Sequence, residues 1–149
     1  MLASIRLIAF VLLGSLTSAS GVSAQTVVEV ATKWGLLGTW QLDCKAPVSR
    51  TNAALSYVVR GGKLFHDRQF GDSSDSSAIT SAKLKPGGMI EITVHFTSIS
   101  QTRQQVDVKR SDGRRRTMSN RNVDTNEYSV KDGKFTAKGG ETPWQTRCR

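Results

Sequence analysis

Four short turn signals divide most of this 149-residue chain into pairs of strand-like segments. They are Gly61-Gly62, Pro86-Gly87-Gly88, Asp112-Gly113 and Asp132-Gly133. Gly-Gly and Asp-Gly supply the positive φ angles that tight hairpins need. The sequence therefore predicts four β-hairpins, which are Ala54–Arg60 with Lys63–Phe70, Ala78–Lys85 with Met89–Phe96, Arg103–Arg110 with Arg114–Asn120, and Glu127–Lys131 with Lys134–Ala137.

Apolar residues alternate with polar ones inside these segments. In Met89–Phe96 the odd-numbered side chains are mostly polar and the even-numbered ones apolar, and Val106 and Val108 alternate with Asp107 and Lys109. A period of two is typical of half-buried antiparallel strands. With a further strand at Gly38–Cys44, we predict an all-β fold, an antiparallel meander of about 8–9 strands closed into a small barrel. A β-sandwich is the structural alternative.

Residues 1–24 have the three parts of a secretory signal peptide. Arg6 precedes an apolar run, and Val22-Ser23-Ala24 gives a small-x-small cleavage site before Gln25. The apolar run is too short for the roughly 20 residues of a membrane-spanning helix. We therefore predict a periplasmic or secreted protein with no transmembrane segment after signal cleavage. Its parts are the signal peptide (1–24), a lead-in (25–37) that forms a short helix or an extended segment, and a β-barrel domain (38–149).

The chain contains two cysteines, Cys44 and Cys148. In an oxidising compartment an even cysteine count indicates a disulfide, and two cysteines allow one pairing. Two cysteines and two distant histidines do not have the spacing of a zinc site. We therefore predict a Cys44–Cys148 bond that ties the start of the fold to its last residues.

The chain carries a formal net charge of +9, which becomes +8 without Arg6. A basic protein favours anionic partners, and for an exported protein these are phospholipid or lipopolysaccharide head groups and acidic glycans rather than nucleic acid. In a meander the tight turns lie at one end, so the basic residues beside them form a basic pole. The alternative is that they only keep strand ends solvated. The anion-binding candidates are Lys109, Arg110, Arg114, Arg115 and Arg116.

The segment Gly38-Thr39-Trp40 resembles the G-x-W motif that opens the first strand of lipocalins and related calycin barrels. The resemblance implies that Gly38 and Trp40 plug the closed end of the barrel, with a late arginine such as Arg147 or Arg149 packed across the indole. The segment Thr142–Arg149 is also similar to small exported proteins of alphaproteobacteria. The resemblance implies a binding protein.

No catalytic motif is present in the sequence, and we predict no catalytic residue, metal site or cofactor. His66 and His95 are expected on unrelated surfaces, and Asp72–Ser77 lacks the glycine and terminal glutamate of a calcium loop. We expect an exported, non-enzymatic binding protein that holds a small apolar or amphipathic ligand in the barrel. The alternatives are a basic surface that binds anionic envelope components and an inhibitor-like barrel that binds a protein. A barrel filled by its own side chains would leave no room for the ligand.

Overall fold

The computed structural model describes residues 25–148. The signal peptide prediction and Arg149 lie outside the described residues. One helix, α1 (Val27–Trp34), precedes ten strands. The strands are β1 (Gly38–Gln41), β2 (Ala54–Arg60), β3 (Lys63–Gln69), β4 (Ser74–Lys85), β5 (Met89–Phe96), β6 (Gln101–Lys109), β7 (Arg115–Asn122), β8 (Tyr128–Lys131), β9 (Lys134–Phe135) and β10 (Thr146–Arg147).

All ten strands form one antiparallel sheet in the order β10-β1-β2-β3-β4-β5-β6-β7-β8-β9. The four predicted hairpins are confirmed as β2–β3, β4–β5, β6–β7 and β8–β9. Asp132 and Gly133 have φ angles of 52° and 72°, as the tight β8–β9 turn requires. The strand that the sequence analysis missed is β10, which adds to β1 through Trp40 and Gln41.

The prediction of a closed barrel is wrong, because the sheet curls into an open half-barrel. The edge strand β10 has two residues and its neighbour β1 has four. These strands are too short to form a continuous hydrogen-bonded ladder with the strands at the other edge of the sheet. A bridge between the main chains of Arg115 and Gln145 links the two sides, with N···O distances of 3.1 and 2.8 Å. We call the region on both sides of this bridge the seam.

The predicted lead-in forms α1, which lies across the tight-turn end of the half-barrel. Thr26 and Glu29 form a capping box at its start, and Gly35 ends it in the left-handed conformation. The indole Nε1 of Trp34 donates to the carbonyl oxygen of Gly88 at 2.9 Å. The buried face of the helix (Val30, Ala31, Trp34) joins one apolar cluster with Leu36, Trp40, Tyr57, Leu64, Ile79, Ile90, Ile92, Val94 and Phe96. The half-barrel is therefore filled by its own helix and strands.

Strand β6 presents its polar side chains to the concave face. Its Gln105 and Asp107 lie opposite Ile92 and Ile90 of β5, and residues paired across a sheet share a face. Both polar side chains are buried, whereas Val106 and Val108 are half-buried on the other face. The interior consequently has an apolar half, formed by β5 and α1, and a polar half, formed by β6 and β7.

The predicted disulfide is confirmed. Cys44 and Cys148 are bonded, with their Cα atoms 5.4 Å apart and the two residues separated by 104 positions in sequence. The bond fixes the segment after β10 beside the end of β1, and the main-chain N–H of Cys148 donates to the carbonyl oxygen of Thr39 at 2.7 Å. The last strand is thus held to the first by a covalent bond and by the sheet.

Candidate anion-binding site

A pocket of about 290 Å³ opens at the tight-turn end, between the β6–β7 turn and β10. We call it the basic pocket. It brings together four residues that the sequence analysis singled out, namely Trp40, Lys109, Arg114 and Arg147. Its other lining residues are Gly35, Asp112, Gly113 and Thr146.

The two walls of the basic pocket come from opposite ends of the domain. One wall is the β6–β7 hairpin, where Lys109 ends β6 and Arg114 follows Gly113, whose φ of 83° makes the turn. The other wall is β10, where Arg147 pairs with Trp40 of β1. Because β10 is anchored by the disulfide, the position of Arg147 depends on the Cys44–Cys148 bond.

Among residues 25–148, the charged groups that line the basic pocket are three cations and one carboxylate. The carboxylate of Asp112 accepts from the main-chain N–H and from the Nε of Arg114, both at 3.0 Å, and pairs with Arg110 at 2.9 Å. These contacts, the main-chain hydrogen bond first, hold the pKa of Asp112 below its usual range. The carboxylate thus stays ionised and orients Arg114, and the pocket keeps an excess of positive charge.

Lys109 has a second task at the end of α1. Its ammonium group donates to the carbonyl oxygen of Trp34 and lies 4.7 Å from the centre of the Trp34 ring. A cation at the last carbonyls of a helix complements the helix dipole. Lys109 therefore holds the helix across the barrel end while its charge contributes to the pocket.

Arg115 does not belong to the basic surface that the sequence analysis predicted. Its side chain is 1% exposed and pairs with the equally buried Asp107 at 2.5 Å. The guanidinium group also donates to the hydroxyl of Tyr57 at 3.0 Å and lies 5.1 Å from the Trp40 ring. The physical reason is that β6 turns its polar face inward. Asp107 is therefore buried beside β7, where it pairs with Arg115 inside the half-barrel.

Arg115 occupies the cation–π position over Trp40 for which the lipocalin resemblance suggested Arg147. The side chain of Arg147 is exposed at the rim of the basic pocket. Trp40 itself is buried, and its Nε1 donates to the carbonyl oxygen of Leu36 at 2.8 Å. Gly38, with φ of 116°, pairs with Tyr57 of β2. The lipocalin assignment stays a prediction.

The guanidinium groups of Arg110 and Arg116 both lie over the Trp144 ring, at 4.9 and 4.8 Å from its centre. Arg116 also pairs with Glu141 at 3.2 Å. Because Arg110 shares Asp112 with Arg114, this stacked group continues the positive surface away from the pocket. The structure therefore divides the five predicted anion-binding residues between a pocket wall, a stacked surface group and the interior.

The surface position predicted for His66 is wrong, while His95 is exposed. The His66 ring is buried and stacks on Tyr57 with ring centres 4.5 Å apart. Burial, followed by the charge of Arg115, lowers the pKa of His66 to about 3, so the ring is neutral. Leu64, His66 and Arg68 share the concave face of β3. Across residues 25–148, no three His, Cys, Asp or Glu side chains are grouped as metal ligands.

Comparison of the chain with protein-family models, curated proteins and solved structures gives no significant match. In residues 25–148 no helix is long and apolar enough to span a membrane. The function is therefore inferred from the fold and from the chemistry of its pockets.

Proposed function

We propose that this is an exported, non-enzymatic binding protein that takes a small anionic group in the basic pocket. The observation that carries the proposal is the convergence of Lys109, Arg114 and Arg147 on one cavity, where the carboxylate of the lining residue Asp112 is already paired. The disulfide fits an oxidising compartment, which supports export to the periplasm or beyond the cell.

The chemistry of the pocket favours an oxyanion. Guanidinium groups present a planar set of donors that matches phosphate and carboxylate oxygens. Arg114 is held in place by Asp112, so little conformational freedom is lost when it binds. A phosphate or carboxylate on a lipid head group or an acidic glycan is the expected ligand, as an envelope component would offer.

The experiment compares binding of inorganic phosphate, and of vesicles containing phosphatidylglycerol, to the mature protein and two variants. Arg114→Gln with Arg147→Gln removes two charges from the pocket, and Lys45→Gln with Lys138→Gln removes two exposed charges elsewhere. We expect the pocket variant to bind at least tenfold more weakly and the control variant to stay within about twofold, since remote surface charges are screened by salt.

Equal losses in the two variants would show that net charge alone attracts the anion and would remove the pocket from the proposal. Binding of vesicles without binding of phosphate would assign the site to the lipid head group. If neither phosphate nor the vesicles bind to the mature protein at low salt, the proposed function is overturned.

A second candidate keeps the apolar ligand of the sequence analysis but moves it out of the barrel. A cavity of about 480 Å³ lies between the start of α1 and strands β3 and β4. Its lining includes Val27, Val28, Leu64 and Ile79, with Lys63 among the lining residues. An amphiphile could place its chain there, and displacement of a fluorescent fatty acid from Lys63→Ala and Val28→Glu variants tests this candidate.

A further inference from the structure

A second pocket, of about 280 Å³, lies on the other side of the seam bridge from the basic pocket. It is lined by Thr117 and Asn120 of β7 and by Pro143 and Gln145 of the C-terminal segment, whereas the basic pocket is lined by Arg114 and Thr146. In an antiparallel bridge centred on Arg115 and Gln145, Thr117 and Pro143 lie on one side of the bridge. Arg114 and Thr146 lie on the other side. We call this second cavity the seam pocket.

Within the described part of the chain, residues 25–148, no charged side chain lines the seam pocket. Amides and hydroxyls form the polar part, and Leu55, Val130, Phe135 and Pro143 form the apolar part. The polar lining residues are Gln105, Thr117, Asn120, Ser129, Thr142 and Gln145. A neutral wall of this kind offers hydrogen bonds in both directions and no preference for ions.

A partly buried network fixes two amides of the pocket wall, those of Gln105 and Asn120. The Nε2 of Gln105 donates to both carboxylate oxygens of Asp107 at 2.9 Å, and its Oε1 accepts from the Nδ2 of Asn120 at 3.2 Å. Arg103 in turn donates to the Oδ1 of Asn120 at 2.5 Å and to Ser129 at 2.8 Å. The orientation of each amide is thus set by a charged neighbour that cannot accept the opposite orientation.

This network is costly unless it serves a purpose. Polar and ionic groups in an interior stabilise the fold no better than well-packed apolar residues would. Here β6 leaves Val106 and Val108 half-buried on the outer face and places Gln105 and Asp107 inside, against the usual pattern. Departures from local rules are expected at functional sites, and preorganised polar groups in a cavity are what a binding site needs.

We propose that the seam pocket binds a small neutral ligand rich in hydroxyl groups, of the size of a single sugar ring. The network leaves one lone pair on Oε1 of Gln105 and one hydrogen on Nδ2 of Asn120, and an acceptor beside a donor suits a pair of vicinal hydroxyls. Phe135, whose surface is 43% exposed, offers a ring face for the C–H side of the ligand. The volume lies just below the range of roughly 300–1,000 Å³ typical of sites for drug-sized ligands, which limits the ligand to about one ring.

The seam pocket and the basic pocket share no lining residue, so the two proposals can fail separately. In the test, isotope-labelled mature protein is titrated with glucose, galactose and N-acetylglucosamine, and binding is monitored through the chemical shifts of the main-chain amides. We expect at least one sugar to shift residues 117–120 and 142–145 with saturation below roughly 50 mM, a range that covers millimolar dissociation constants. Residues 109–114 should not shift.

The variant for this site is Phe135→Ala with Gln145→Leu, and its matched control is Tyr128→Ala with Gln69→Leu on surfaces outside the pocket. The pocket variant should lose at least fivefold in affinity and the control less than twofold. Gln145 forms the seam bridge through its main chain, so a change at this position also affects the bridge. Thr117→Val is therefore a second variant, which removes one lining hydroxyl at nearly constant shape and leaves Gln145 unchanged. No shift with any of the three sugars, or equal affinity in all variants, would overturn the proposal.

Discussion

Asp107 and Arg115 form a fully buried ion pair that could not be predicted from either residue alone. Removing one partner of such a pair leaves an uncompensated charge and costs about 3–5 kcal/mol, whereas replacing both by apolar residues is far less damaging. The pair therefore has value through its neighbours, since it anchors Gln105 on one side and Tyr57 on the other. Burial in turn raises the pKa of the Tyr57 hydroxyl, which stays protonated.

We expect Asp107→Asn to lower the free energy of unfolding by about 3 kcal/mol or more, because Arg115 is left without its counter-ion. The double variant Asp107→Leu with Arg115→Met should recover most of this loss. Urea unfolding followed by tryptophan fluorescence measures both. Asp72→Asn, which breaks the exposed pair with Arg50, is the control and should not move the midpoint. Equal midpoints for Asp107→Asn and Asp72→Asn would contradict the burial of the pair.

At the scale of residues, the sequence analysis could not predict which of the three consecutive arginines, Arg114, Arg115 and Arg116, is buried. Alternation along a strand separates Arg115 from Arg114 and Arg116, but it does not say which face is inside. That choice depends on the register with β6, whose own polar face is inside against expectation. The disulfide was predictable because the chain offers one pairing. Lys109 and Arg114 of the basic pocket were named from their charge, but their grouping with Arg147 depends on β10, which the sequence analysis missed.

Each hairpin was predictable because its information is local, a turn of two or three residues between alternating segments. The pairing of β10 with β1 brings together Trp40 and Arg147, and a two-residue strand has too little sequence pattern to be recognised. The packing of α1 is non-local in the same way. Its amphipathic face indicates that it is covered, and only the structure shows that the half-barrel covers it.

At the scale of elements, α1 should depend on its first turn. The Oγ1 of Thr26 accepts from the main-chain N–H of Glu29, so Thr26→Ala should cost about 1 kcal/mol through loss of the cap. Thr32→Ala, at an exposed position inside the helix, is the matched control and should be neutral or slightly stabilising. Thermal unfolding measures the difference. Identical melting temperatures for the two variants would show that tertiary packing alone holds the helix.

At the scale of the whole molecule, the bond between Cys44 and Cys148 closes almost the entire domain into a loop. Reduction should lower the free energy of unfolding by up to about 5 kcal/mol, since the unfolded chain regains the freedom of a loop of about 100 residues. Unfolding curves with and without reductant measure this loss. A Cys44→Ser with Cys148→Ser variant should match the reduced protein and ignore the reductant. A reductant effect on that variant would point to a different cause.

The C-terminal segment acts as a strap, because residues 142–147 contribute a wall to both the seam pocket and the basic pocket and the disulfide fastens the end of that segment. In a reducing compartment the strap would keep only its non-covalent contacts, which are the β10 pairing, the seam bridge, the hydrogen bonds of Thr142 to Gly133 and Thr117, and the arginines stacked on Trp144. Both cavities would lose their far wall whenever the strap lifted. The oxidation state of Cys44 and Cys148 therefore decides how firmly one wall of each cavity is held in place.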